Sequence, residues 1–311
     1  MEGTWLSDVK RIPSIIAMLM IFVSVQLIAL LLVPVFPSDY RAFEDVNNPI
    51  NPVIYFIMII TITIVVLVLI KFGRKSMLRG IFMGAMAITL VFVFLPIMYA
   101  VVQDILIDFV ISITISALLM GAVLIRPEWY TIDLVAFLAA IGVTVVLGMS
   151  LGIFPAIVLL VILALYDAIS VYWTKHMVTL AGGVAPLNLP VLFVVPKSRG
   201  FSMSSLKEKD ITANSKEREA MFMGVGDAVI PGILVVSTFI FLPSTINGID
   251  GANILVALGA MMGGVLGFTA LMRYVLTGRP QAGLPLLNGG TLLGFGISYL
   301  LVFQNLNFGI I

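Results

Sequence analysis

Long apolar runs, separated by short joints rich in charge, proline or glycine, dominate the sequence. Crossing the roughly 30 Å hydrocarbon layer of a bilayer takes about 20 apolar residues in a helix, and nine runs have about that length. Their approximate bounds are 12–36, 51–71, 79–102, 105–125, 132–149, 152–175, 220–242, 252–276 and 284–303. The pattern predicts an all-α polytopic membrane protein with about nine transmembrane helices.

One connection, between predicted helices 6 and 7, is much longer than the others. Its first part, 184–195, is apolar but contains Pro186 and Pro190 and is too short to span a membrane. Either a membrane-surface loop or an extended strand offered to a substrate fits this part. The second part, 197–219, has ten charged residues in twenty-three, which is typical of a solvated, disordered loop.

The chain therefore divides into three parts. Residues 1–183 contain predicted helices 1–6, residues 184–219 form a partly disordered loop, and residues 220–311 contain helices 7–9.

Lysine and arginine distribution predicts the orientation, because these residues are retained on the cytoplasmic side. With nine helices and a cytoplasmic N-terminus, sixteen of the seventeen basic residues lie inside, and only Arg41 lies outside. We therefore expect a multi-pass integral membrane protein with the N-terminus and the 6–7 loop in the cytoplasm and the C-terminus outside.

Composition supports a membrane location and narrows the chemistry. Of the 311 residues, 61% are hydrophobic and 11% are charged, with a mean hydropathy of +1.17. The net charge of +1 gives no sign of nucleic-acid binding. With no cysteine and one histidine, the chain has no disulfide or thiolate metal site, and we expect no metal or cofactor.

Two aspartates, Asp167 and Asp227, fall inside predicted spans, where a carboxylate costs several kcal/mol and usually marks a functional site. Asp167 lies about four residues past the middle of helix 6, and Asp227 lies about four residues before the middle of helix 7. In antiparallel helices both are then roughly 6 Å from the bilayer centre, at the same depth. The other acidic residues lie in or beside joints, where we expect interfacial solvation: Asp39, Glu44, Asp45, Asp104, Asp108, Glu128, Asp133 and Asp250.

A pair of carboxyls in a low-dielectric site cannot easily ionise together, so the pair holds one proton. An ionised aspartate can take a proton from water while its protonated neighbour polarises an amide carbonyl. This arrangement hydrolyses peptide bonds without a metal or a covalent intermediate.

Three motifs accompany the aspartates. Tyr166 precedes Asp167, Gly224-Val225-Gly226 precedes Asp227, and Gly283-Leu284-Pro285-Leu286-Leu287 opens helix 9. In this order, with nine helices and a long 6–7 loop, they resemble the presenilin and signal peptide peptidase family of intramembrane aspartyl proteases over nearly the whole chain. The chain is similar to an archaeal-type or other single-chain homologue.

The resemblance implies roles for these residues. Asp167 and Asp227 are then the catalytic pair, and Pro285, Leu286 and Leu287 match a Pro-Ala-Leu motif that shapes the active site. We expect Tyr166, Gly224 and Gly226 to contact substrate as well. Leu286 stands where the family usually has alanine, which adds bulk next to the expected cleft. A cytoplasmic N-terminus is presenilin-like, because signal peptide peptidases have the opposite orientation.

Expected partners are the transmembrane helices of substrate proteins within the lipid bilayer; accessory subunits or a homo-oligomer stay open. Glycines at 259, 263 and 267 and at 290 and 294 predict close packing of helices, within the chain more than between chains. The alternative function is a secondary transporter or ion channel in which the aspartates bind protons or cations. A prepilin-type peptidase also has Gly-x-Gly-Asp but is expected to have fewer helices.

Overall fold

The structure is a computed structural model that describes residues 12–174, 187, 189–197, 200–203, 219–246, 248–276 and 281–309. These residues form nine α-helices and two small antiparallel strand pairs, β1 with β2 and β3 with β4. In chain order they are α1 (Ile12–Leu32), α2 (Asn51–Lys71), α3 (Lys75–Val102), α4 (Ile105–Ile125), α5 (Trp129–Ser150), α6 (Ile153–Tyr172), β1 (Leu192–Pro196), β2 (Ala220–Gly224), α7 (Val225–Phe241), β3 (Thr245–Ile246), β4 (Ile249–Asp250), α8 (Ala252–Val275) and α9 (Leu284–Phe303).

The predicted polytopic helical fold is confirmed. Eight of these helices are long and apolar enough to cross a membrane, and α7 is a shorter apolar helix of 17 residues. The predicted first helix ends as an α-helix at Leu32 and continues as a 3₁₀ turn at Val33–Val35, which contains a proline. Predicted disorder in 197–219 concerns residues mostly outside the described part of the chain.

Predicted helix 7 begins five residues too early. Residues Ala220–Gly224 are not helical but form β2, which pairs with β1 so that Leu192 is opposite Gly224 and Pro196 is opposite Ala220. The segment Ala-Met-Phe-Met-Gly is apolar enough to belong to either a helix or a buried strand, and pairing with a distant segment selects the strand. Helix α7 therefore starts at Val225, two residues before Asp227.

Helix α7 forms the centre of the bundle and contacts α1, α5, α6, α8 and α9. Its residues from Ala228 to Thr238 are almost all buried. In contrast, α2 leaves most of its apolar side chains exposed, as expected where lipid rather than protein is the neighbour. Asp227 thus lies on the most protein-enclosed helix of the molecule.

Helices α8 and α9 pack closely through glycines, as predicted. A Cβ on Gly263 would collide with the backbone of Gly290 and Gly294, and a Cβ on Gly267 would collide with the carbonyl of Leu286. Only residues without a side chain permit this approach of two helix backbones.

Interfacial solvation was the wrong expectation for two acidic residues. Asp108 is 5% exposed and accepts a hydrogen bond from Ser112 Oγ at 3.1 Å. Burial, together with the Asp108 carboxylate, raises the pKa of nearby Tyr40. Asp133 is half-buried and accepts a hydrogen bond from Val194 N at 2.8 Å. The composition of the joints reveals neither the burial of Asp108 nor the long-range bond between Asp133 and Val194.

Candidate active site

Asp167 lies in the second half of α6 and is only 6% exposed. Its Oδ2 accepts a hydrogen bond from the backbone N–H of Leu284, the first residue of α9, at 3.0 Å. The N–H of Gly283 also donates to this carboxyl group. Because the first N–H groups of a helix lack partners within the helix, the start of α9 is a natural donor to a carboxylate.

Asp227 lies in the first turn of α7, where its Oδ2 accepts a hydrogen bond from the N–H of Gly224 at 3.2 Å. Gly224 is the N-cap of α7, so it precedes the helix, whereas the hydropathy pattern had placed it inside predicted helix 7. Asp227 is therefore the third residue of α7, not several residues into a longer helix. A carboxylate in the first helical turn is favourably placed with respect to the helix dipole.

The two aspartates meet at one cavity of about 410 Å³, which both of them line. They are close enough to interact electrostatically. Gly283 lies beside both, since its neighbour Leu284 bonds to Asp167 and a Cβ on Gly283 would be 3.6 Å from each carboxylate oxygen of Asp227. The segment leading into α9 therefore closes one side of the carboxyl pair.

Three of the predicted substrate-contacting residues line this cavity: Tyr166, Gly224 and Gly226. The Tyr166 ring also contacts Phe56 of α2 edge-on, with 5.6 Å between ring centroids. These residues surround the carboxyl pair on the side that faces α2.

The predicted site residues at the start of α9 do not all line a cavity. Leu287 lines a second cavity of about 130 Å³, together with Asp227. Neither Pro285 nor Leu286 is among the described residues that line these two cavities. Leu286 packs against the hydrophobic core.

The sequence pattern did not identify the backbone N–H groups that donate to Asp167, nor the side chain that holds their segment in place. Gly283 and Leu284 were recognised only as part of a motif, although their N–H groups contact Asp167. Tyr172, at the end of α6, donates to Gln281 Oε1 at 2.9 Å and accepts from the N–H of Ala282 at 3.4 Å. It therefore ties the end of α6 to the segment that reaches Asp167.

The model of one protein family matches residues 19–304, nearly the entire chain, and is described as signal-peptide peptidase, presenilin aspartyl protease. The chain belongs to this family. Membership confirms the resemblance based on the three motifs, and it gives no support to a transporter or a channel.

Solved structures agree with this assignment. Two crystal forms of a presenilin family intramembrane aspartate protease, in space groups C222 and P2, superpose with TM-scores of 0.64 and 0.66. Their sequences are 30% and 32% identical to this one, and each alignment covers 92% of this chain and 97% of the other. Comparison with curated protein sequences gave no match. This chain thus shares both sequence family and helical architecture with intramembrane aspartate proteases.

Proposed function

We propose that this presenilin-family protein hydrolyses peptide bonds within transmembrane segments of other proteins, with Asp167 and Asp227 as the catalytic pair. The observation that supports the proposal best is the single cavity lined by both carboxyls, deep in a helical bundle. Carboxyls are otherwise costly at such a position.

The catalytic cycle needs one proton on the pair. The ionised carboxylate takes a proton from a bound water as the water oxygen attacks the scissile carbonyl carbon, and the other carboxyl gives its proton to the carbonyl oxygen. The resulting gem-diol then collapses: the aspartate that took a proton from water gives it to the amide nitrogen, the other aspartate takes a proton from a gem-diol hydroxyl, the C–N bond breaks, and an amine and a carboxylic acid leave. Both aspartates end the cycle ready to share one proton again.

The backbone donors have a positioning role in this scheme. Asp167 is held by N–H groups at the start of α9, and Asp227 by the N–H of Gly224. The bonds from Leu284 and Gly224 both use Oδ2 of their aspartate. Fixed donors of this kind hold the reacting groups in place before substrate arrives.

A substrate that is locally unwound can add as a strand along the outer side of β2. The sequence suggested that the 184–195 segment offers such a strand, but its end, β1, pairs with β2 instead. Since Val194 donates to Asp133, the pair formed by Val194 and Phe222 is not hydrogen-bonded, and the N–H and C=O of Phe222 point away from β1. Phe222 and Asp227 line the same cavity, so a strand added there would lie close to Asp227.

We also propose the orientation that the basic residues predict. The start of α1 and the 6–7 connection are then cytoplasmic, and the end of α9 is extracytoplasmic. This places the carboxyl pair nearer to the cytoplasmic surface.

Reconstituted protein with a model transmembrane substrate tests the proposal. We expect the wild type to cut within the substrate's apolar segment, as located by mass spectrometry, and both Asp167→Ala and Asp227→Ala to abolish cleavage while retaining the wild-type melting temperature. Equal cleavage by all three proteins would refute the assignment of the pair. Asp104→Ala is a suitable control, because Asp104 caps the start of α4, away from the cavity.

A further inference from the structure

The described parts of the 6–7 connection are attached to the start of α5 by two carboxylates. Asp133 Oδ1 accepts the N–H of Val194 at 2.8 Å, and Glu128 Oε1 accepts Ser202 Oγ at 3.0 Å. Helix α1 adds a third bond, from Ser14 Oγ to the carbonyl of Pro196 at 3.0 Å. The strand pair next to the aspartates is thus anchored to helices that contribute no residue to the carboxyl pair.

The bond to Asp133 occupies the outer side of β1. Val194 is the central residue of that strand, and its N–H points away from β2. An unpaired strand edge is a template for any other extended chain, and a charged side chain placed on it prevents such pairing. Asp133 and Ser14 together close the outer side of β1, whereas the outer side of β2 faces the cavity that Asp227 lines.

Packing around Val194 holds its hydrogen bond to Asp133 in place. Val194 is 2% exposed and belongs to a cluster with Ile132 and Val135, which lie one residue before and two residues after Asp133 on α5. The N–H end of the hydrogen bond therefore lies in a packed environment, where water cannot easily replace the Asp133 carboxyl as its partner. Where water is excluded, the loss of such an acceptor leaves a buried N–H without a partner.

The strand pair is also linked directly to the proposed catalytic residues. Strand β2 ends at Gly224, whose N–H donates to Asp227, and the N–H of Val225 donates to the carbonyl of Val191 just before β1. A shift of β1 along α5 would therefore move the backbone that holds Asp227. It would also move any substrate strand added to β2.

We propose that Asp133 is a positioning residue that determines the cleavage register. Its carboxylate fixes the strand pair on α5 and closes the edge of β1, so that a substrate strand enters only along β2 and in one alignment with Asp227. This inference rests on the proposed proteolytic function. A slip of one residue in strand pairing presents the next peptide bond and reverses the side chains, so loss of the anchor should spread cleavage over neighbouring bonds.

The test compares Asp133→Leu with Asp133→Asn in the reconstituted assay, measuring KM, kcat and the distribution of cleavage sites. Asparagine keeps the Oδ1 acceptor, so we expect wild-type register and a KM within about twofold. Leucine removes the acceptor at similar size, so we expect KM to rise about 5- to 10-fold and products from adjacent bonds to appear, in line with the loss of a hydrogen bond to a charged group.

Asp108→Leu is the matched control, because Asp108 is also a carboxylate that accepts a hydrogen bond within the protein. It contacts Ser112 and lies near Tyr40, which follows the C-terminal end of α1, whereas the strand pair is bonded to the N-terminal end of α1. It should leave the cleavage register unchanged. A general effect of removing a buried carboxylate would shift the register in both variants and would overturn the inference.

A second variant covers the case in which Asp133→Leu does not fold. Val194→Pro removes the N–H donor from the outer side of β1 and leaves the bonds between β1 and β2 intact, since Val194 does not donate to β2. It should reproduce the altered register, and combining it with Asp133→Leu should add nothing further. Unchanged register and KM in the folded variant would overturn the role of Asp133, while abolition by Asp167→Ala or Asp227→Ala would still support the protease assignment.

Discussion

Gly283 is the residue on which the geometry of the carboxyl pair depends most closely. It lies against Asp227 and directly precedes the N–H that bonds to Asp167. Because Gly283 has no side chain, we expect the attacking water of the proposed reaction to occupy the space beside it, next to the Asp227 carboxylate. A residue that adds a single methyl group should therefore affect chemistry without disturbing the fold.

Gly283→Ala tests this at the smallest scale. Its Cβ would meet Leu271 Cδ2 at 3.5 Å and the Asp227 oxygens at 3.6 Å, which are ordinary contact distances, so we expect wild-type thermal stability. We expect kcat to fall about 10-fold, or ~1.4 kcal/mol in barrier, because the methyl group displaces water from the carboxyls. Gly289→Ala, on α9 with open space around its Cβ, is the control and should retain wild-type kcat. Equal kcat in both variants would contradict the water site placed beside Gly283.

Much of the site could be anticipated from residue types alone. Two carboxylates in apolar runs are costly enough to attract attention, and Asp167 and Asp227 do line one cavity. Backbone donors are different, since every residue except proline has an N–H. The residue types of Gly283 and Leu284 do not show that their N–H groups point at Asp167. The bond from Asp133 to Val194 joins residues 61 positions apart and has no local signature.

At the scale of elements, the glycines of α8 and α9 replace side-chain packing by backbone contact. Gly259, Gly263 and Gly267 face α9, and a Cβ on any of them would collide with that helix. The rigid pair presents Leu284 N–H to Asp167 from the start of α9. Close packing of these two helices is therefore part of how the site is built.

Enlarging one glycine of this contact should loosen it. We expect Gly263→Ala to destabilise the protein by about 1–3 kcal/mol, because its Cβ would meet the backbone of α9, which cannot rotate away. Gly296→Ala, in α9 with no atom within 4 Å of the added Cβ, should be neutral. Thermal melting in detergent compares the two; a Gly263→Ala variant as stable as the wild type would argue against close backbone packing.

Helices were easier to predict than strands for a physical reason. Apolar runs of about 20 residues identify membrane helices regardless of tertiary context, and the boundaries of α2, α4 and α9 agree with the sequence pattern. Strand β2 has only five residues and depends on a partner strand beyond a charged loop, with Ala220 opposite Pro196 and Gly224 opposite Leu192. An apolar pentapeptide next to a helix merges with that helix in any pattern based on hydropathy.

At the scale of the whole molecule, an enclosed core contrasts with an outer layer that faces lipid. Helix α7 is surrounded by five other helices, whereas α2, α3 and α4 expose many large apolar side chains. The proposed orientation then determines from which side of the membrane water enters the site and to which side the cleavage products leave. It was inferred from the basic residues alone and has its own test.

The absence of cysteine from the chain makes that test direct. Ser38→Cys in the α1–α2 connection and Lys75→Cys at the start of α3 are both exposed positions at opposite membrane surfaces. In intact cells an impermeant maleimide should label Ser38→Cys at once and Lys75→Cys only after permeabilisation. The reverse pattern would invert the orientation while leaving the family assignment intact.

The central claim, that Asp167 and Asp227 share one proton and activate water, is tested most directly by the pH dependence of kcat/KM in proteoliposomes. A pair active only when singly protonated predicts a bell-shaped profile, falling at low pH as the base is protonated and at high pH as the acid is lost. Asp167→Asn and Asp227→Asn should be inactive at every pH. A profile with a single limb, or cleavage by either asparagine variant, would contradict the account.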